Sequence, residues 1–147
     1  FDGAITGIEP GAGIMQATEE AITEYGLNLE LSDSSSAAMA AALERAINNE
    51  EWIAVTGWNP HWKFAKFDLK YLEDPKGIYG GEEHIDTVAR QGFEEDMPAA
   101  HSIADNFHWT SQDLGPVMVN IKEGMTPDEA AQKFIEDHQD LVNEWTS

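Results

Sequence analysis

The sequence predicts an α/β fold: a mainly parallel central sheet flanked by helices. Three observations predict it. Over residues 4–56, short apolar runs alternate with stretches of helical spacing in the order strand, helix, strand, helix, strand. The helical stretches are long enough to serve as crossovers between parallel neighbours. The third run, Trp52 to Thr56, is strongly apolar, as suits a strand in a sheet covered on both faces.

The elements follow in order. Ala4-Ile-Thr-Gly-Ile8 reads as a short buried strand, and Glu9-Pro-Gly-Ala-Gly13 as a turn rich in breakers. Ile14, Ala17, Ala21, Ile22 and Tyr25 recur at helical spacing, and Gly26 stops that helix. Leu27 to Leu31 reads as the second strand. Asp33 and the serines at 34, 35 and 36 offer N-caps to a helix with Met39, Leu43, Ala46 and Ile47 on one face. Trp52 to Thr56 is the third strand, with Trp52 expected in the core. In a parallel sheet, ligands sit beyond the carboxyl ends of the strands. The two unusual loops, Glu9–Gly13 and Gly57–His61, both follow strands and should share that edge.

The second half is less regular. Phe67 to Leu72 and Ile85 to Ala89 are strand candidates, and Asp74-Pro-Lys-Gly77 and Gly80-Gly81 are turns. Pro98 to Phe107 and Asp113 to Glu123 read as helices, the latter weakened by Gly115-Pro116. Thr126-Pro-Asp-Glu129 is a capping box with proline at the first helical position. One apolar stripe then runs through Ala131, Phe134, Ile135, His138, Leu141, Val142 and Trp145.

Composition bounds the function. The 147 residues suit one domain with a real core, and the 41% hydrophobic share argues against disorder. With 28 acidic and 8 basic residues, the net charge is −20. That opposes nucleic acid, anionic lipid and polyphosphate, and suits a soluble protein or a cationic or zwitterionic small ligand. The absence of cysteine excludes disulfides and thiolate chemistry. Phe1 leads straight into the first strand with no leader, which reads as a mature chain or a fragment.

Two stretches stand out as ligand sites. Gly11-Ala-Gly13 follows a strand and opens a helix, so its backbone can approach a small anion. Gln16 stands where a dinucleotide fingerprint needs its third glycine, and a Walker lysine is missing. A carboxylate remains, as does a tight turn without a ligand. Three of five tryptophans fall within Trp52–Trp62. Trp58 lies in a turn between Gly57 and Pro60, where an indole face can meet a cation; Trp62 reads as packing. The histidines form no metal signature and the serines no nucleophile elbow, so neither metal, cofactor nor enzyme is expected. An enzyme using the glycine turn as an oxyanion or phosphate cradle would lack a nucleophile, a base pair and a metal set.

Six stretches together resemble the glycine betaine-binding proteins of ABC importers: "ITGIEPGAGIM" at 5–15, "SSAAM" at 35–39, "TGWNPHW" at 56–62, "DLKYLEDPKGIYG" at 68–80, "FHW" at 107–109 and "EWT" at 144–146. The resemblance implies a periplasmic-binding-protein-like (type II) receptor, extracytoplasmic, that closes two lobes over a compatible solute. It implies that the backbone N–H groups of Gly13 and Ile14 hold the carboxylate and that Trp58 is one wall of an aromatic cage. Gly11, Ala12, Pro60, His61 and Trp62 are secondary candidates. The family's other two cage tryptophans and its histidine lie in a tryptophan-leucine-proline stretch followed by histidine, and no such segment occurs here. Trp109 and His108 match a different motif, outside the cage. Residues 1–147 therefore read as one substrate-binding lobe, with the helices of about 98–147 packing on it or on the missing lobe. The partners implied are a betaine ligand, a complementary lobe and the membrane subunit of an ABC transporter, with choline, carnitine or proline betaine as other ligands. A split half that acts through protein contacts or self-association is the alternative.

Overall fold

Gly7 sits where the first strand, the first helix and the second strand meet, and the strand end is built around its missing side chain. In the computed structural model, which describes residues 3–81 and 83–147, a Cβ at Gly7 would lie 2.4 Å from Met15 Sδ and 3.1 Å from the Ser32 carbonyl oxygen. Phe1, on which the reading of the chain's start rests, is outside the described residues. The chain forms two compact units, Phe1–Trp58 with Lys70–Glu82, and Asn59–Leu69 with Glu83–Ser147.

In the first unit, β1 (Ala4–Thr6), β2 (Glu30–Ser32) and β3 (Ala54–Val55) form a parallel sheet in the order β2-β1-β3. The register pairs Ile5 with Leu31 and with Ala54. The crossovers are α1 (Gly13–Glu24) and α2 (Ser36–Asn48). Ile8, Met15 and Met39 form the core, with Ala12, Ile14, Leu31 and Val55 packed against them. Ile8 N–H donates to Met15 Sδ at 3.2 Å.

Gly26 ends α1 as expected. It takes φ +61°, its N–H donates to the Thr23 carbonyl, and Leu27 N–H reaches back to the Ile22 carbonyl, which together make a Schellman motif. Ser35 caps α2 by accepting from Ala38 N–H at 3.1 Å. The second strand begins at Glu30 rather than Leu27, because Leu27 to Asn28 are still leaving the helix cap.

Trp52 is a correction. It is 87% exposed, because β3 starts two residues later and Trp52 lies outside the ladder.

The segment 70–81 returns to α1 without becoming a strand. Asp74 is its anchor: Oδ1 accepts from the Tyr25 hydroxyl at 2.5 Å and Oδ2 from Tyr79 N–H at 2.8 Å. The Tyr25 hydroxyl first, then backbone N–H groups, hold the Asp74 carboxyl below the usual range.

The second unit is helical: α3 (Trp62–Lys66), α4 (Phe93–Asp96), α5 (Pro98–Asn106), α6 (Ser111–Lys122), α7 (Pro127–Asp137) and α8 (Gln139–Thr146). Its core is Val117, Ala130, Phe134 and Trp145, with Trp109, Leu114, Leu141 and Val142 around it. Trp109 meets Phe134 edge-on with centroids 5.0 Å apart. Gly115 lets α6 approach α3, since a Cβ there would lie 2.8 Å from Ala65 Cβ.

Three expectations fail in this unit or beside it. Phe67–Leu72 forms no strand: Phe67 N–H caps α3 on the Lys63 carbonyl, and Leu72 is exposed. Ile85–Ala89 forms none either, because Ile85 and Val88 have no buried face. The last helix is two. His138 leaves the helical region at φ −129°, ψ 45°, where its Nδ1 and the Gln139 amide donate to the Phe134 and Ile135 carbonyls. The buried alanine is accordingly Ala130, and Ala131 and Ile135 face out. Gly115-Pro116 does not stop α6, which starts from a reciprocal Thr110–Asp113 capping box and leaves Pro116 exposed.

Candidate functional site

The parallel pairing of β1 with β3 carries Gly7–Ala12 and Thr56–Trp58 out of the same end of the sheet. Thr56 N–H extends the ladder by one bond to the Thr6 carbonyl at 3.1 Å. Beyond it the chain reaches Gly57 and Trp58. On the neighbouring strand it passes Ile8, which is buried, and rises into the exposed turn at Glu9–Gly13.

That turn delivers the start of α1. Ala12 is the N-cap residue and has no side chain that can cap. Met15 and Gln16 N–H groups both bond the Ala12 carbonyl, at 2.9 and 3.2 Å. Among the described residues, no protein group accepts from the N–H of Gly13 or Ile14. Unpaired first-turn N–H groups and the positive end of the helix dipole favour an anion. Nothing lies within 4 Å of a Cβ built on Gly11 or Gly13, so the turn is open to an approaching ligand, and Gly11 takes φ +88° to make it.

The next helix is treated differently. Ser36 N–H, the first of α2, donates to Glu9 Oε1 at 3.1 Å, and that bond lowers the Glu9 carboxyl's pKa. Glu9 belongs to the loop yet serves its neighbour's N-terminus. Sequence reading missed this, because the partners are 27 residues apart and no local motif marks the bond.

Trp58 is 37% exposed and ends the first of the two segments that make up the first unit. The unit thus holds Gly11, Ala12, Gly13, Ile14 and Trp58 on two loops of one sheet edge. An N–H pair and an indole suit a ligand with a carboxylate and a quaternary ammonium group.

Pro60, His61 and Trp62 belong to the second unit and have structural engagements there. Pro60 follows a cis peptide bond, and Asn59 donates to the Ser111 hydroxyl at 2.8 Å. His61 Nδ1 accepts from Lys63 N–H at 3.2 Å, capping α3; burial, then the Lys63 charge, lowers its pKa. Trp62 lies 6.1 Å from Phe67 between ring centroids, and its ring faces the Lys122 and Lys66 ammonium groups at 5.3 and 5.9 Å. Its partners are therefore this chain's own side chains, in line with packing. Lys63 is wholly buried, and burial pushes its pKa down to about 8. Among the described residues, no group of three or more His, Asp or Glu could hold a metal ion, and no helix is long and apolar enough to cross a membrane.

Comparison with known proteins gives the chain's family. The chain is 50% identical over 145 residues to the glycine betaine/carnitine transport binding protein GbuC of Listeria monocytogenes serotype 1/2a (strain 10403S), covering 97% of this chain and 48% of GbuC. Lactococcal OpuAC, in a closed-liganded crystal structure with glycine betaine, superposes with a TM-score of 0.76 at 47% identity, over 98% of this chain and 57% of that one. A choline-binding ABC-transporter protein in complex with choline matches with a TM-score of 0.66 at 26% identity, over 98% of this chain and 52% of that one. The chain spans about half the length of these relatives. Residues 1–137 match the family described as the substrate binding domain of the ABC-type glycine betaine transport system. The chain belongs to that family, OpuAC.

Proposed function

We propose that this chain is a lobe of an extracytoplasmic solute receptor that binds glycine betaine, or a related quaternary ammonium solute, for delivery to an ABC importer. The observation that carries the reading is the pair of unpaired N–H groups, Gly13 and Ile14, on the sheet edge that also bears Trp58. The carboxylate takes the two N–H groups, and the trimethylammonium group takes the indole face. Family membership and the glycine betaine and carnitine in the relatives' names support the ligand class.

In this reading a complementary lobe supplies the remaining cage walls, and closure strips water from the ligand, which strengthens each electrostatic contact. The lobe alone holds its ligand weakly, at roughly millimolar affinity, since one cation–π wall and two amides leave little after the cost of association.

The N–H pair also discriminates among ligands. Choline carries the quaternary group without a carboxylate, and glycine the carboxylate without methyl groups. Calorimetry with all three should rank glycine betaine above both. Choline binding as tightly as glycine betaine would remove the N–H pair from the site, and glycine binding equally well would remove Trp58. Choline remains the second reading, favoured by the choline-binding structural relative.

A further inference from the structure

Thr18 lies buried in the middle of α1, and its hydroxyl has a partner on each side. It donates to the Ile14 carbonyl at 2.7 Å, one turn back, and the Tyr79 hydroxyl donates to it at 3.1 Å. Because Thr18 accepts from Tyr79, its single proton is committed to Ile14. A hydroxyl bonded to the carbonyl four residues earlier bends a helix. Here it fixes the peptide that follows Ile14, in the same turn as the unpaired N–H groups of Gly13 and Ile14.

Tyr79 is itself held. Its N–H donates to Asp74 Oδ2, while Asp74 Oδ1 accepts from the Tyr25 hydroxyl at the C-terminal cap of α1. The Tyr25 oxygen in turn accepts from Lys76 N–H at 2.7 Å. The Lys76 ammonium bonds the Glu24 carbonyl and lies 5.0 Å over the Tyr25 ring. Residues 74–79 are thus fastened at the far end of α1 and reach, through one phenol, towards its beginning. Within each chain of bonds, Lys76–Tyr25–Asp74 and Tyr79–Thr18–Ile14, the hydrogen bonds polarise one another, and the Tyr79 side chain joins the two.

We infer that Tyr79 is a positioning residue for the anion-binding turn, acting through the Thr18 hydroxyl, with Asp74 holding Tyr79 in place. The inference rests on the proposed function for the meaning of that turn, but the relay has its own readout. Amide spectra of the unliganded 147-residue chain should show the Gly13, Ile14 and Met15 resonances displaced in both Tyr79→Phe and Thr18→Val. Thr18→Ser, which keeps the hydroxyl, should restore them. In glycine betaine titrations, Tyr79→Phe should bind about threefold more weakly, the size expected when part of one neutral hydrogen bond is transmitted. Adding it to Thr18→Val should cost nothing further, whereas a merely destabilised fold would give additive losses.

Unliganded Tyr79→Phe spectra with changes confined to residues 74–80 would overturn the inference, as would additive losses of affinity. A parent chain whose Gly13 and Ile14 amides ignore glycine betaine would remove the functional reading and this one with it. The unliganded spectra separate that result from failure of the relay.

Discussion

Replacing Gly7 by alanine tests how tightly the sheet edge is built under the candidate site. The added Cβ would fall 2.4 Å from Met15 Sδ and 2.5 Å from its Cε. Met15 is almost wholly buried, and its sulfur accepts the Ile8 N–H, so it cannot swing aside without losing that contact. Overpacking of this kind costs about 1–3 kcal/mol. Met15→Ala alone leaves a cavity and costs about 2–5 kcal/mol. The double variant should cost less than the sum by about 1 kcal/mol or more, because truncating Met15 removes the atoms that the new methyl meets. It should not recover fully, since the Ser32 carbonyl stays 3.1 Å from the Cβ. Urea unfolding followed by far-UV circular dichroism gives all three values, and an unchanged m-value keeps the comparison valid. Costs that add to within about 0.5 kcal/mol would refute the proposed contact.

Other perturbations read other parts of the molecule. Gly115→Ala should destabilise by about 1–3 kcal/mol through its 2.8 Å clash with Ala65, and Ala65→Gly should recover part of that loss in the double variant. Thr126→Ala should cost about 0.5–2 kcal/mol by removing the hydroxyl that accepts from Glu129 N–H and donates to Glu129 Oε2, while the reciprocal bond from Thr126 N–H stays. Lys63 titrates at about 8 when folded, against about 10.4 in an unfolded chain. The unfolded chain holds that proton more tightly, so the charge opposes folding below about 8, and the opposition fades as pH rises towards 10.4. The stability of Lys63→Met relative to the parent should therefore be more favourable at pH 7 than at pH 10. An equal difference at both pH values would contradict the depressed pKa.

The parallel half of the fold is legible because its signals are local. Breakers at Glu9–Gly13, the stop at Gly26 and the serines before Met39 mark element ends that the structure keeps within a few residues. The capping box at Thr126 is legible for the same reason. What fails depends on partners. Phe67–Leu72 and Ile85–Ala89 carry strand-forming residues, yet a strand needs a ladder and a buried face: the first has Phe67 and Leu69 partly buried but no ladder, and the second has neither. Trp52 looks like core until the ladder proves to begin after it. At the split, side chains join the backbone bonding: the Gln139 amide donates to the Ile135 carbonyl, and His138 Nδ1 shares the Phe134 carbonyl with its own N–H, which no periodicity reveals. At the candidate site, Gly11–Gly13 and Trp58 stand out by residue type. Glu9 capping α2 and Tyr79 bracing Thr18 do not, because they join residues 27 and 61 positions apart.

In the proposed function, the N–H pair of Gly13 and Ile14 and the indole of Trp58 receive the two ends of one ligand. An NMR titration of the isotope-labelled chain with glycine betaine, to tens of millimolar, tests it most directly, with glycine as the control. The Gly13 and Ile14 amides and the Trp58 indole N–H should move together, along one weak binding curve of roughly millimolar midpoint, and glycine should leave the indole unmoved. A folded spectrum in which all three stay still, or in which glycine moves them as far, would contradict it.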